Sequence, residues 1–297
     1  MVKKKYGLDY INPVLNITNI FILGIFAFVC IYPLYYVFIN SLSSSAAITN
    51  GVYFLPEELT FDAYQNLSEI SGIGSAILVS IARTVIGALV TTLCSSFVSY
   101  IITRRQMILK KFIYRFIIFT MYINAGFIPM YLLIARLGLR NNFLVYILPY
   151  AVSAYYIILI KTYIESMAAS VWESAEIDGA GILAIYFRII VPLAQPILAC
   201  IIIFAAVNQW NTWADDFFYM LGGKARNLHC LQYLLYLNLR SQSISMVNGS
   251  FSGASVQVTP TTLKMAMTFI TVLPILLVYP YMQRYFTKGI MLGAVKG

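Results

Sequence analysis

Apolar stretches of about twenty residues, nearly free of Asp, Glu, Lys and Arg, recur six times along the chain between shorter polar segments. At 1.5 Å per helical residue, each can cross the roughly 30 Å of bilayer hydrocarbon. The pattern places them at Ile17–Ile39, Ala76–Thr103 (interrupted by Arg83), Phe116–Ala135 and Asn141–Ile160. The last two fall within the uncharged run Ile189–Ala214, starting at Pro196, and at Met265–Gln283. The expected fold is therefore an all-α integral membrane protein with six transmembrane helices, residues 1–297 forming one transmembrane domain.

Composition agrees: 60% of the 297 residues are hydrophobic and only 10% are charged, too few polar groups to cover a soluble globule. Six spans put both termini on one side, and the cation distribution chooses which. With cytoplasmic termini, the inner segments carry thirteen Lys and Arg and the outer segments six, with Arg83 left inside the second span. The net charge of +9 is thus mostly topology, and its dispersal over inner loops excludes a nucleic-acid surface. "MVKKK" followed by a long apolar run reads as a retained helix, not a cleaved signal. Cys30, Cys94 and Cys200 lie in apolar spans and Cys230 in an outer loop, which suggests no disulfide framework.

In this topology the extracytoplasmic loops are about 41–74 and 221–262, and the largest cytoplasmic loop is about 161–195. In its middle stands "WESAEIDGAG", Trp172 to Gly181, unusually acidic for its surroundings. Ile164, Met167, Ala168, Val171 and Ala175 recur at helical spacing, with Glu165, Glu173 and Glu176 on other faces. That predicts a short amphipathic helix, a turn at Gly179 and Gly181, and a second helix leading to Pro192 and Pro196. Helices lying on anionic lipid favour Lys and Arg on the polar face, so the acids point to a protein partner.

Glu173, Ala175, Gly179, Ile189 and Pro192 match, residue for residue, the EAA loop of permease subunits of ABC importers, with Ser174 and Val191 as small departures. The chain also resembles the carbohydrate-uptake branch of that family, related to the second permease subunit of the maltose importer, and within it the permeases for complex or polysaccharide-derived glycans. The matching stretches are "NAGFIPMYLLIARLGLRNN" at Asn124–Asn142, "QWNTW" at Gln209–Trp213, "LQYLL" at Leu231–Leu235 and the C-terminal "VYPYMQRYFTKGIMLGAVKG". The resemblance implies a type I permease fold in the bacterial cytoplasmic membrane, forming half of a path for an oligosaccharide. It also implies a second, homologous permease, two ATPase subunits and an extracytoplasmic binding protein as partners. Trp172, Glu173, Ala175, Gly179, Ile189 and Pro192 then couple the chain to an ATPase, and the "GAVKG" tail looks like one that reaches between ATPase subunits. No phosphate-binding G-x-x-x-x-G-K-[ST] occurs, so ATP and magnesium are expected on the partner ATPase, with no cofactor on this chain and no enzymatic activity of its own.

Polar residues at membrane depth are costly unless they face a cavity or each other. Asn208, Asn211 and Asp215, at steps of three and four, share one helical face of the fifth span, and Asn208 lies about 18 Å from Pro196, near mid-bilayer. With Asn124 in the third span, these are the candidate path residues; the competing role is gluing helices together. Arg83 is either a pore charge or the partner of an acid elsewhere, Asp215 and Asp216 read as solvated acids, and the lone His229 suggests no metal site. A permease for a non-sugar solute and a secondary transporter remain as alternatives.

Overall fold

The computed structural model describes residues 13–70, 72–123, 125–168, 170–222, 227–247 and 259–294, and all regular structure among them is helical. In chain order the helices are α1 (Pro13–Ser41), α2 (Ser45–Asn50), α3 (Asp62–Glu69), α4 (Ile73–Thr103), α5 (Lys110–Tyr122), α6 (Phe127–Arg136) and α7 (Ala154–Ser166). They continue with α8 (Ser170–Ile177), α9 (Ile182–Ile185), α10 (Val191–Leu193), α11 (Gln195–Asn211), α12 (Ala214–Tyr219), α13 (Leu231–Val247) and α14 (Pro260–Ala294). Among the described residues three helices are long and apolar enough to cross a membrane, and three bent pairs are so if each is counted as one span: α5 with α6, the turns at 143–150 with α7, and α9 through α10 with α11.

The chain divides into two compact units. One comprises residues 1–69 and 250–270. Its apolar α1 leaves every side chain from Leu15 to Ile31 exposed, as a lipid-facing or partner-facing span would. The loop after it is folded: Ser44 caps α2 by accepting from the Ala47 N–H at 3.1 Å, and buried Asn40 donates to the Val52 carbonyl at 3.2 Å.

The other unit comprises residues 70–249 and 271–297 and is organised around α4, which packs against α7 and α11. The buried face of α4 is lined by small residues, including Ser80, Gly87, Ala88, Thr91, Ser95 and Ser99. Small side chains let helix backbones approach within a membrane, where lipid offers no hydrophobic contrast. Gly87 shows how close: a Cβ there would stand 2.7 Å from Gln209 Nε2. The α4 hydroxyls also explain why the fourth span can be broken. Short 3₁₀ turns at Phe143–Tyr146 and Leu148–Tyr150 precede α7 at a 48° bend. There the Thr91 hydroxyl donates to the Tyr150 carbonyl at 2.7 Å, and Ser95 Oγ accepts from the Ser153 N–H at 3.1 Å. Irregular backbone at membrane depth needs such partners.

The boundary between α7 and α8 differs from the sequence reading. The helix expected across Ile164 to Ala175 is split, because α7 runs on to Ser166 and α8 begins only at Ser170; the periodicity straddles two helices that share one apolar core. α14 continues through Gly289 and Gly293 to Ala294, since the long helix that precedes them has already met the cost of nucleation. The last residues of the tail, 295–297, lie outside the described residues, as does Asn124.

Candidate functional site

The fifth span decides the placement of the polar residues. α11 stops at Asn211, with the Thr212 N–H donating to the Asn208 carbonyl at 3.1 Å, and a separate α12 begins at Ala214. The break removes Asp215 from the face of Asn208 and Asn211. Asp215 is buried, and its Oδ2 pairs with Arg83 Nη2 at 3.0 Å. Both expectations for this acid, a path residue and a solvated acid, are therefore corrected. Arg83 is the partner of an acid and not a pore charge.

The buried guanidinium makes four hydrogen bonds within the protein, as its desolvation demands. Nη1 donates to the Thr212 carbonyl at 2.9 Å, Nε and Nη2 donate to Gln209 Oε1 at 3.3 and 3.2 Å, and Arg83 Cζ lies 4.2 Å from the Tyr146 ring centre. Tyr150 donates to Asp215 Oδ1 at 2.7 Å, and Gln209 Nε2 donates to the Tyr146 carbonyl at 3.0 Å. One cation on α4 thus ties the broken end of α11, the start of α12 and the turns of the fourth span. A charge inside an apolar run announces such a partner, but several acids were possible and spacing could not choose among them.

Asp216, also expected to be solvated, is fully buried. It accepts from the Cys230 N–H at 2.6 Å, and His229 Nδ1 lies 2.6 Å from its other oxygen. The acid thereby pins the segment leading into α13. Burial pushes the Cys230 thiol up to about 12, so it is held as a neutral thiol. Among the described residues no group of His, Cys, Asp and Glu could hold a metal ion.

With Asp215 withdrawn, Asn208 and Asn211 line a cavity of about 610 Å³ together with Tyr155, Tyr156, Thr212 and Tyr279. A smaller cavity of about 180 Å³, lined in part by Thr91, Ser153 and Gln209, shares Tyr156 and Asn208 with it. Asn208 also accepts from the Thr212 hydroxyl at 3.2 Å, and Asn211 donates to the Val207 carbonyl at 2.9 Å. Volumes of roughly 300 to 1,000 Å³ with a few polar groups on an aromatic lining are typical of small-molecule sites.

The loop residues divide between buried and outward faces. Trp172, Ala175 and Ile189 pack on a core formed by Tyr100, Ile160, Ile164, Ile185 and Tyr186. Pro192 is exposed in α10, just ahead of an 85° bend into α11. Gly179 has φ +81° and ends the turn after α8, whereas Gly181, at φ −67°, caps α9 in an ordinary extended conformation; only the first of the two turn glycines requires its freedom. The acids of α8 are not free: Glu173 pairs with Arg105 at 3.1 Å and Glu176 with Arg104 at 2.9 Å. Outward from α8 stands Ile177, 86% exposed.

Long apolar helices and bent pairs, with a largely apolar cavity that carries a few amide and hydroxyl groups, are the features of a helical membrane protein. Residues 95–292 match the family of binding-protein-dependent transport system inner membrane components, and the chain belongs to that family. Among relatives, it is 34% identical over 92% of its length to a polygalacturonan/rhamnogalacturonan transport system permease protein, YtcP, of Bacillus subtilis strain 168, of which it covers 94%. It is 31% identical over 96% of its length to Protein LplC of the same organism, covering 95% of that protein. A chain in the crystal structure of a bacterial ABC transporter involved in the import of the acidic polysaccharide alginate superposes with TM-score 0.81 at 29% identity, covering 92% of this chain and 97% of that one.

Proposed function

We propose that this chain is the permease subunit of an ATP-driven importer that carries an oligosaccharide delivered by a binding protein. The observation that supports this best is the near-full-length similarity to sugar permeases, together with an intact α8–Gly179 turn that displays an exposed apolar residue. An apolar side chain such as Ile177, displayed on a short helix, suits the groove of a partner. α8 is then the coupling helix, and the partners are a second permease, two ATPase subunits and an extracytoplasmic binding protein. The cation distribution supports cytoplasmic termini and a cytosolic α8. ATP and magnesium are used by the ATPase, which leaves this chain without a catalytic role.

The cavity fits sugar chemistry. The Asn208 and Asn211 amides and the Thr212 hydroxyl offer both donors and acceptors, and the Tyr155, Tyr156 and Tyr279 rings offer flat apolar faces for sugar C–H surfaces. Substrate length and charge are tested by ATP-dependent uptake of labelled neutral and uronate oligosaccharides into reconstituted vesicles. Uptake of neither, with uptake of a non-sugar solute, would overturn the carbohydrate reading.

The path residues carry their own prediction. With the four native cysteines replaced by alanine, single cysteines at Asn208 and Asn211 are expected to react with a small aqueous maleimide, and the labelling should change when vanadate traps the complex with nucleotide. Labelling as slow as that of a cysteine at Phe26, on the exposed apolar face of α1, would instead assign the two amides to helix packing.

A further inference from the structure

Two ion pairs join α8 to the segment that follows α4, and they differ in kind. Arg105 and Glu173 meet at 3.1 Å with side chains 82% and 39% exposed, so water and other partners compete freely for both. Arg104 and Glu176 meet at 2.9 Å with side chains only 10% and 26% exposed. Arg104 is held from its other side as well: Nη1 donates to the Tyr100 hydroxyl at 3.1 Å, and Nη2 donates to Gln106 Oε1 at 3.2 Å. Gln106 in turn donates to the second Glu176 oxygen at 3.5 Å. Tyr100 is buried and stacks at 5.9 Å on Tyr186, whose hydroxyl meets Ser96 at 2.6 Å.

We infer that Arg104 is a positioning residue that pins α8 to α4 through Glu176, so that motion imposed on α8 is delivered to the cavity wall along α4, while Glu173 stays exchangeable for an external partner. This rests on the reading of the chain as an ATP-driven permease with α8 as its coupling helix. α4 is one continuous helix of 31 residues. Arg83 grips the α11–α12 junction beside Asn208 and Asn211, and Arg104 lies 21 residues further on, about 32 Å away at 1.5 Å per residue. Two points about 32 Å apart on one helix are thus tied ionically, its C-terminal end to the coupling helix and Arg83, within it, to the cavity wall. Aromatic packing alone would let α8 rock on its core, whereas a second, polar tether beside it resists that slip.

The test uses the full complex in proteoliposomes, with a cysteine at Asn208 as reporter in the background lacking native cysteines. ATP hydrolysis and the vanadate-dependent change in maleimide labelling are measured together. Arg104→Gln and Glu176→Gln are expected to retain ATPase association and hydrolysis but to reduce the labelling change by about fivefold or more, a factor that one broken partly buried tether can produce. The exchanged pair Arg104→Glu with Glu176→Arg should restore most of it, which a merely structural lesion would not allow. If the wild-type complex shows the labelling change and both single variants show it undiminished, or if the exchange fails to rescue, the inference falls. Absence of any nucleotide-dependent change in the wild-type complex would instead remove the underlying reading.

Discussion

Arg83→Leu is expected to lower the stability of the purified protein by about 3 to 5 kcal/mol, the usual result of removing one member of a buried ion pair. The loss arises mostly from what remains. Asp215, buried and facing Tyr150, keeps a carboxylate with no cation, and the Thr212 carbonyl and Gln209 Oε1 lose their donors. Asp215→Leu should cost a comparable amount by stranding the guanidinium. The double variant Arg83→Leu with Asp215→Leu should be less damaged than the sum of the two, because neither charge is then left alone. Thermal unfolding in detergent, followed by tryptophan fluorescence, measures all three. A single variant within about 1 kcal/mol of wild type would show that the pair contributes no more than an exposed one.

Gly179→Val is expected to abolish uptake while leaving insertion and assembly intact. The reason is backbone conformation and not crowding: a Cβ at Gly179 meets nothing within 4 Å, but φ is +81°. The left-handed region costs an ordinary L-residue roughly 1 to 2 kcal/mol, and β-branching makes it harder still. The turn after α8 would open, and α8 would be presented at the wrong angle to its partner. Asparagine tolerates this region, so Gly179→Asn should keep a large part of the wild-type rate. Uptake by both variants at matched membrane levels is the measurement. Normal transport by Gly179→Val, or equal loss in both, would mean that the positive φ is not what the site needs.

The legible parts of the fold are those that depend on lipid. A run such as Ile17–Ile39 must be helical because the bilayer offers no other partner for its backbone, and all six spans expected from the pattern correspond to long helices or bent pairs. The turn at Gly179 was legible for a similarly local reason. Less visible were the bends, since Pro149 and Pro196 announce a disturbance but not its direction. Asp215 illustrates the loss most directly. Regular spacing assumes that a helix continues, and one broken turn at Thr212–Trp213 carries the acid from the cavity face to Arg83.

From the sequence alone, then, came the number of spans, the acidic loop with its glycine hinge, and the presence of polar groups at membrane depth, because each depends on hydropathy, local backbone preference or the cost of an unsolvated group. Only the tertiary structure decided which polar groups satisfy one another. It paired Arg83 with Asp215, Asp216 with Cys230 and His229, and Arg104 with Glu176, and left Asn208 and Asn211 to the cavity. A charge needs a partner within about 4 Å, and residues that close in space stand up to 132 positions apart in the chain, where no periodicity connects them.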